Sequence, residues 1–209
     1  LRRPLSAGPR RRRASALIFL FAFGLAGGLP SVASAHPHVF IDNRVTFLFK
    51  EGKIVGFREN WQFDEIFSED LLGDFDKDGD GRFSKAESEA VAGVTLPALE
   101  EYHYFTYVWV DGKDLGKIKP TDFHASARDK LASYDFLIAL PKPVDPLKQV
   151  LAVEIADRSY FVEVLLAKND PVKIDGLKEF TCQPNVTMDK KNAYYGGYVI
   201  PQQIKLTCQ

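Results

Sequence analysis

A chain of 209 residues, 45% hydrophobic and 26% charged, is long enough for one domain or for a domain with an insertion. Its 27 basic and 28 acidic residues nearly cancel, but six of the arginines lie in residues 1–35, which hold no acid. The remainder has 21 basic against 28 acidic residues, a net charge of −7. That sign disfavours nucleic acid, whose binding rests on cationic contacts to phosphate, and it suits a secreted protein that attracts cations.

Residues 1–35 read as a secretory signal peptide. Arg2, Arg3 and Arg10 to Arg13 form a basic start, Ala16 to Ala26 a short apolar run, and Ala33-Ser34-Ala35 a small-x-small cleavage site. The apolar run is shorter than the about 18–20 residues that a membrane span needs. A single β-rich domain over 36–209, with no membrane association after cleavage, is therefore expected.

Residues 38–63 read as a β-hairpin. Val39, Ile41, Val45, Phe47 and Phe49 alternate with polar residues, and Val55, Phe57, Trp61 and Phe63 continue the pattern on the return. The apolar faces coincide if Phe47 sits opposite Phe57 and Phe49 opposite Val55, with a three-residue loop at Glu51-Gly52-Lys53. Asn43 and Glu59 fall on the buried face, near the edge of the core or as partners of something.

Residues 65–103 change to helical spacing, as an insertion between strands. At its centre, residues 76–87 read Asp-Lys-Asp-Gly-Asp-Gly-Arg-Phe-Ser-Lys-Ala-Glu, which meets the calcium-loop pattern D-x-[DN]-x-[DN]-G-x5-E at every defined position. Asp76, Asp78 and Asp80 supply carboxylate oxygens and Gly81 the sharp turn. Arg82 offers its carbonyl, Ser84 acts directly or through water, and Glu87 closes the loop with both oxygens. A hard divalent cation with six to eight oxygen ligands needs this spacing, because the chain must wrap once around it. No second such loop is visible, so a structural Ca2+ clip is expected rather than a sensor. The helix after the loop is expected to end near Gly93, with Thr95 capping a further short helix that has Pro97 in its first turn.

Strands resume at Tyr104 to Val110, followed by an Asp111-Gly112 turn, then Asp122 to Ala127 and Ser133 to Leu140. Gln149 to Ala156 and Tyr160 to Ala167 read as a hairpin turning at Asp157-Arg158-Ser159, and Tyr198 to Thr207 as a last strand. The fold class is thus mainly β, a sandwich-like antiparallel core carrying the inserted helix–loop–helix. Residues 169–197 are turn-rich and have no assigned place. Cys182 and Cys208 are the only cysteines, and in an exported protein they are expected to pair.

Four histidines make a second constellation. Cleavage after Ala35 makes His36 the first residue, so His36-Pro37-His38 presents an amine and two imidazoles together, a donor set suited to Zn2+, Ni2+ or copper. Pro37 lacks the backbone N–H that one common N-terminal chelate needs. Asp42 shares a strand face with His38 and is placed to orient it or add an oxygen. His103 and His124 lie at or beside strands, where they join the site if those strands neighbour the first. No nucleophile elbow, phosphate loop or dinucleotide fingerprint is present, and no catalytic residue is assigned.

Ala-His-Pro-His-Val-Phe-Ile-Asp at 35–42, Trp61-Gln62-Phe63-Asp64-Glu65 and Tyr104-Phe105-Thr106 resemble a family of bacterial exported proteins, domain-of-unknown-function family 1007. The resemblance implies a periplasmic component of an ABC-type transport system, associated with uptake or export of a transition metal such as zinc, nickel or cobalt. The leading expectation is therefore a periplasmic metal-binding accessory with a membrane metal transporter as partner and a structural Ca2+ loop. A calcium-dependent scaffold or adhesion module without transition metal is the alternative. A copper enzyme built on a histidine brace at His36 is the third reading, and it needs an imidazole from His103 or His124.

Overall fold

The computed structural model describes residues 37–209. The expected signal peptide, its cleavage site and His36 lie outside the described residues.

The first two strands, β1 (Val39–Lys50) and β2 (Lys53–Phe63), form the expected hairpin. β1 buries every second side chain along its full length, the period of a strand with one face on a core. Phe47 pairs with Phe57 as the hydrophobic pattern requires, but Phe49 pairs with Ile54 rather than Val55. A bulge at Leu48/Phe49 takes up the difference, and the turn is the two-residue Glu51-Gly52. Both turn residues have positive φ, 52° and 69°, the backbone twist that tight hairpins prefer. The bulge exchanges faces, so Ile54 is fully buried and Val55 only partly.

Two helices follow, α1 (Glu65–Phe75) and α2 (Lys85–Glu100). α1 is capped by Asp64, which accepts from the Phe67 amide with one oxygen (2.9 Å) and from the Phe40 amide with the other (2.8 Å). That one carboxylate both starts the helix and ties it to β1. α2 runs unbroken through Gly93 and Pro97, so the helix end expected near Gly93 and the separate helix after Thr95 do not occur. Pro97 removes one amide from the ladder, yet Thr95 Oγ1 lies 3.3 Å from the Tyr134 hydroxyl, holding this stretch against the β core.

The strand expected from Tyr104 starts two residues later, as β3 (Thr106–Val110). His103, Tyr104 and Phe105 instead form a tight turn with φ of 56°, 52° and 55°. The Asp111-Gly112 turn connects β3 to β4 (Lys113–Asp114) as expected. β5 (Thr121–Arg128) and β6 (Leu131–Val144) pair as a long hairpin. β7 (Leu151–Ile155) and β8 (Val162–Leu166) are not a hairpin. β7 joins one sheet and β8 the other. The buried Asp157 makes that crossover, accepting from the amides of Ser159 (2.9 Å) and Val162 (2.9 Å). The unassigned stretch 169–197 holds β9 (Val172–Asp175), β10 (Cys182–Met188) and two short 3-10 turns, and β11 (Gln202–Cys208) closes the described chain.

The first sheet has the order β5-β6-β2-β1-β8, with β9 also on β1; the second is β10-β11-β7-β3-β4. The sheets share one core, and the fold is mainly β as expected. It is not purely antiparallel: β8 and β9 lie parallel to β1. Having crossed from the second sheet, the chain reaches the free edge of β1 already running in the same direction. Gly56 is needed where β2 meets β6, since a Cβ there would stand 2.5 Å from the Ile138 carbonyl oxygen.

Two buried serines seat the helices on the sheet. Ser68 of α1 accepts from the Ala132 amide (2.9 Å) and Ser88 of α2 from the Ala125 amide (2.8 Å). Each satisfies a β5–β6 amide that burial would otherwise leave unpaired.

The core between the sheets also holds the carboxyl of Glu59. Glu59 is fully buried; its Oε2 accepts from Trp61 Nε1 (2.8 Å), and its Oε1 lies 2.7 Å from Thr106 Oγ1 of the opposite sheet. Burial pushes Glu59 up to about 7, against the opposing pull of the bonds to Thr106 and Trp61. Asn43, on the same face, is fully buried, and neither of its side-chain polar atoms has a hydrogen-bond partner.

Candidate metal centre

Asp76 follows directly on α1, and Ser84 is the residue before α2, so the loop is clamped at both ends by helix geometry. Asp76 is the hub. Its Oδ1 accepts from the amides of Gly79 (2.8 Å) and Asp80 (3.2 Å), and its Oδ2 from Gly81 (2.8 Å). Gly79 and Gly81 have φ of 72° and 76°, the left-handed region where a side chain strains the backbone. These turns curl the loop until oxygens of Asp76, Asp78 and Asp80 lie within 4.8 Å of one another. Among the described residues this is the one group of three or more His, Cys, Asp or Glu side chains gathered so closely.

The far end of the loop is a capping box. Ser84 Oγ accepts from the Glu87 amide (3.4 Å), and Glu87 Oε2 accepts from the Ser84 amide (2.8 Å). Glu87 Oε1 takes the Lys77 amide at 2.6 Å, bridging the start of the loop to its end. Those amides, Lys77 first and then Ser84, hold the Glu87 carboxyl below its ordinary range. At Asp78 the Asp80 amide pulls downward, but the negative charge of Asp80, desolvation and the charge of Glu87 outweigh it, and the net shift is upward. Crowded carboxylates raise one another in this way until a cation relieves them. Arg82 is exposed and donates its amide to Asp80 Oδ1 (2.8 Å). The donor set is all oxygen, which fits a hard divalent cation.

The histidines stand in three different settings. His38 is exposed just before β1, with its ring 4.8 Å from that of Phe161. Asp42 is exposed on the same face of β1. His103 lies in the left-handed turn, its ring stacked on Tyr107 at 5.5 Å. His124 is on β5, with Nδ1 3.4 Å from Ser88 Oγ. Its strand lies three places from β1 in the sheet, about 14 Å at the usual strand spacing. Among the described residues, no histidine belongs to a group of three or more side chains gathered as closely as the aspartates.

Cys182 and Cys208 form a disulfide as expected. They face each other across the β10–β11 pair and close a sequence separation of 26 residues. No helix among the described residues is long and apolar enough to cross a membrane.

A polar cluster on the second sheet had no sequence signal. Arg158 Nη2 donates to the buried Glu154 (3.0 Å), Gln203 Nε2 to the same carboxylate (2.8 Å), and the guanidinium lies 4.4 Å from the centre of the Tyr107 ring. Desolvation, then the Asp189 contact, raise Glu154 above its ordinary value. Glu154 and Arg158 are four residues apart, but Tyr107, Asp189 and Gln203 come from distant stretches, so no local spacing betrays the cluster.

The fold and loop thus define a class: a two-sheet β protein with an acidic, helix-flanked loop. Residues 20–199 match the family described as "Protein of unknown function (DUF1007)", and the chain belongs to that family. It is 27% identical over 169 residues to an uncharacterized protein of Haemophilus influenzae, covering 77% of this chain and 78% of the relative. It is 29% identical over 140 residues to an uncharacterized 15.5 kDa protein of the trpE 3' region of Spirochaeta aurantia, covering 66% of this chain and 97% of the relative.

Proposed function

We propose that this is an exported metal-binding protein whose loop Asp76–Glu87 takes up one Ca2+ in the manner of an EF-hand. The reading is carried by the gathering of Asp76, Asp78 and Asp80 oxygens within 4.8 Å, on a loop with Gly81 at φ 76°. Asp76, Asp78 and Asp80 would bind through carboxylates, Arg82 through its carbonyl, Ser84 directly or through water, and Glu87 through both oxygens. The ion would neutralise crowded acids and join the end of α1 to the start of α2, so its role is structural. A lone loop suits the weak range of about 10⁻⁴–10⁻³ M that serves extracellular modules. Calorimetric titration with Ca2+ should show one site, and excess Ca2+ should raise the unfolding temperature. Glu87→Ala should abolish both effects; retention of either in the variant refutes the loop as the site.

The wider role proposed is that of a periplasmic accessory to a transition-metal transport system. It is supported by the family resemblance and by His38, which stands exposed where the chain enters β1. His36 and His38 would take Zn2+ or Ni2+, with Asp42 on the same face. Protein with His36 as its authentic first residue should bind about one equivalent of Zn2+ or Ni2+, and His38→Ala should lose it. Unchanged uptake in that variant removes the site and leaves the calcium scaffold. The copper-enzyme reading gains no support from the positions of His103 and His124.

A further inference from the structure

We propose that the cleft between the two helices and the β core docks an exposed peptide segment, one carrying a large apolar side chain flanked by lysine or arginine. The cleft has a volume of about 330 Å³, inside the range of about 300–1,000 Å³ typical of ligand sites. That space takes one or two large side chains, not a folded surface.

Its floor is Trp61, Phe63, Phe105 and Tyr134, none more than 5% exposed. This floor is rigid: Trp61 stacks on Phe105 with ring centres 5.6 Å apart, and Phe63 meets Tyr134 edge-on at 4.6 Å. Leu71 and Phe75 of α1 form one wall, and Val94 and Ala98 of α2 the other. The mouth is apolar and open, with Val94 61% and Phe161 49% exposed. An apolar mouth continuous with a buried aromatic floor is what an anchor side chain needs.

Charge selects the occupant. The charged residues lining the cleft are Asp70 and Asp74. α1 carries Glu65, Glu69, Asp70 and Asp74 with no lysine or arginine. A fatty acid or an acid-flanked peptide would bring its carboxylate against this rim, whereas a basic flank meets opposite charge on entry. No ion in the neighbouring loop is required, so this inference stands apart from the calcium reading.

The test titrates the protein with the synthetic peptide Lys-Lys-Leu-Phe-Leu-Lys-Lys and follows tryptophan emission, since Trp61 lies on the cleft floor and the peptide has none. Saturable binding is expected, about tenfold tighter than for the same peptide with glutamate in place of lysine. Asp70→Asn with Asp74→Asn should remove most of that preference. Ala98→Phe, at an exposed position on α2 that tolerates the larger ring, should fill the cleft and abolish binding. Circular dichroism confirms that both variants are folded. Absence of saturable binding, equal affinity for the glutamate peptide, or binding untouched by both variants would overturn the proposal.

Discussion

Glu59→Gln should make the protein more stable at pH 8 and leave it nearly unchanged at pH 5. The reason lies in one hydroxyl proton. Thr106 Oγ1 is 2.7 Å from Glu59 Oε1 and 3.0 Å from the Tyr104 carbonyl oxygen, and a hydroxyl has a single hydrogen to donate. A protonated Glu59 resolves the conflict by donating to Thr106, whose own proton then serves Tyr104. Burial raises the Glu59 carboxyl from 4.5 to about 7, and the group is wholly shielded from solvent. Between those values the folded protein holds a proton that the unfolded chain has released, so stability falls as pH rises through the window. The fall amounts to about 3 kcal/mol and is complete above pH 7. The substituted amide would mimic the protonated acid, its oxygen accepting from Trp61 and its nitrogen donating to Thr106. Urea unfolding of both proteins at pH 5, 6, 7 and 8, followed by tryptophan fluorescence, gives the difference free of other titrating groups. A difference that does not change with pH refutes the argument.

Further outcomes follow from the packing. Ser88→Ala deprives the fully buried Ala125 amide of its acceptor and should cost about 1–3 kcal/mol in urea unfolding. Replacing Cys182 and Cys208 by serine should cost about 3–4 kcal/mol on the chain-entropy account, with the unfolding midpoint then insensitive to dithiothreitol. Gly56→Ala must push β2 away from the Ile138 carbonyl; the expected loss is about 1–3 kcal/mol, and an unchanged midpoint would show that the strands separate freely there.

Local pattern made much of the molecule legible. The β1 alternation and the Phe47–Phe57 pairing follow from period-two burial, which a one-residue slip would invert. Val55 misled because alternation alone cannot announce a bulge: both Ile54 and Val55 are apolar, and the positive-φ turn at Glu51-Gly52 chose between them. Gly93 and Pro97 are ordinary breakers, yet α2 runs on through both, with Thr95 held against Tyr134 of the β core. The loop was readable residue by residue because its neighbours in space are its neighbours in sequence.

What the sequence determined by itself was therefore local: strand faces, the acidic loop and the candidate histidines. Cys182 and Cys208, as the only cysteines, completed that list without any knowledge of the fold. Only the tertiary structure decided that β7 and β8 part company, that β8 and β9 run parallel to β1, and that Glu59 reaches Thr106 across the core. It also gave His38, His103 and His124 different neighbours and left an acid-rimmed cleft beside the loop. The physical reason is range. Periodicity and turn chemistry act over a few residues, whereas crossovers, buried charges and clefts depend on which distant segments meet, and no spacing in the chain records that.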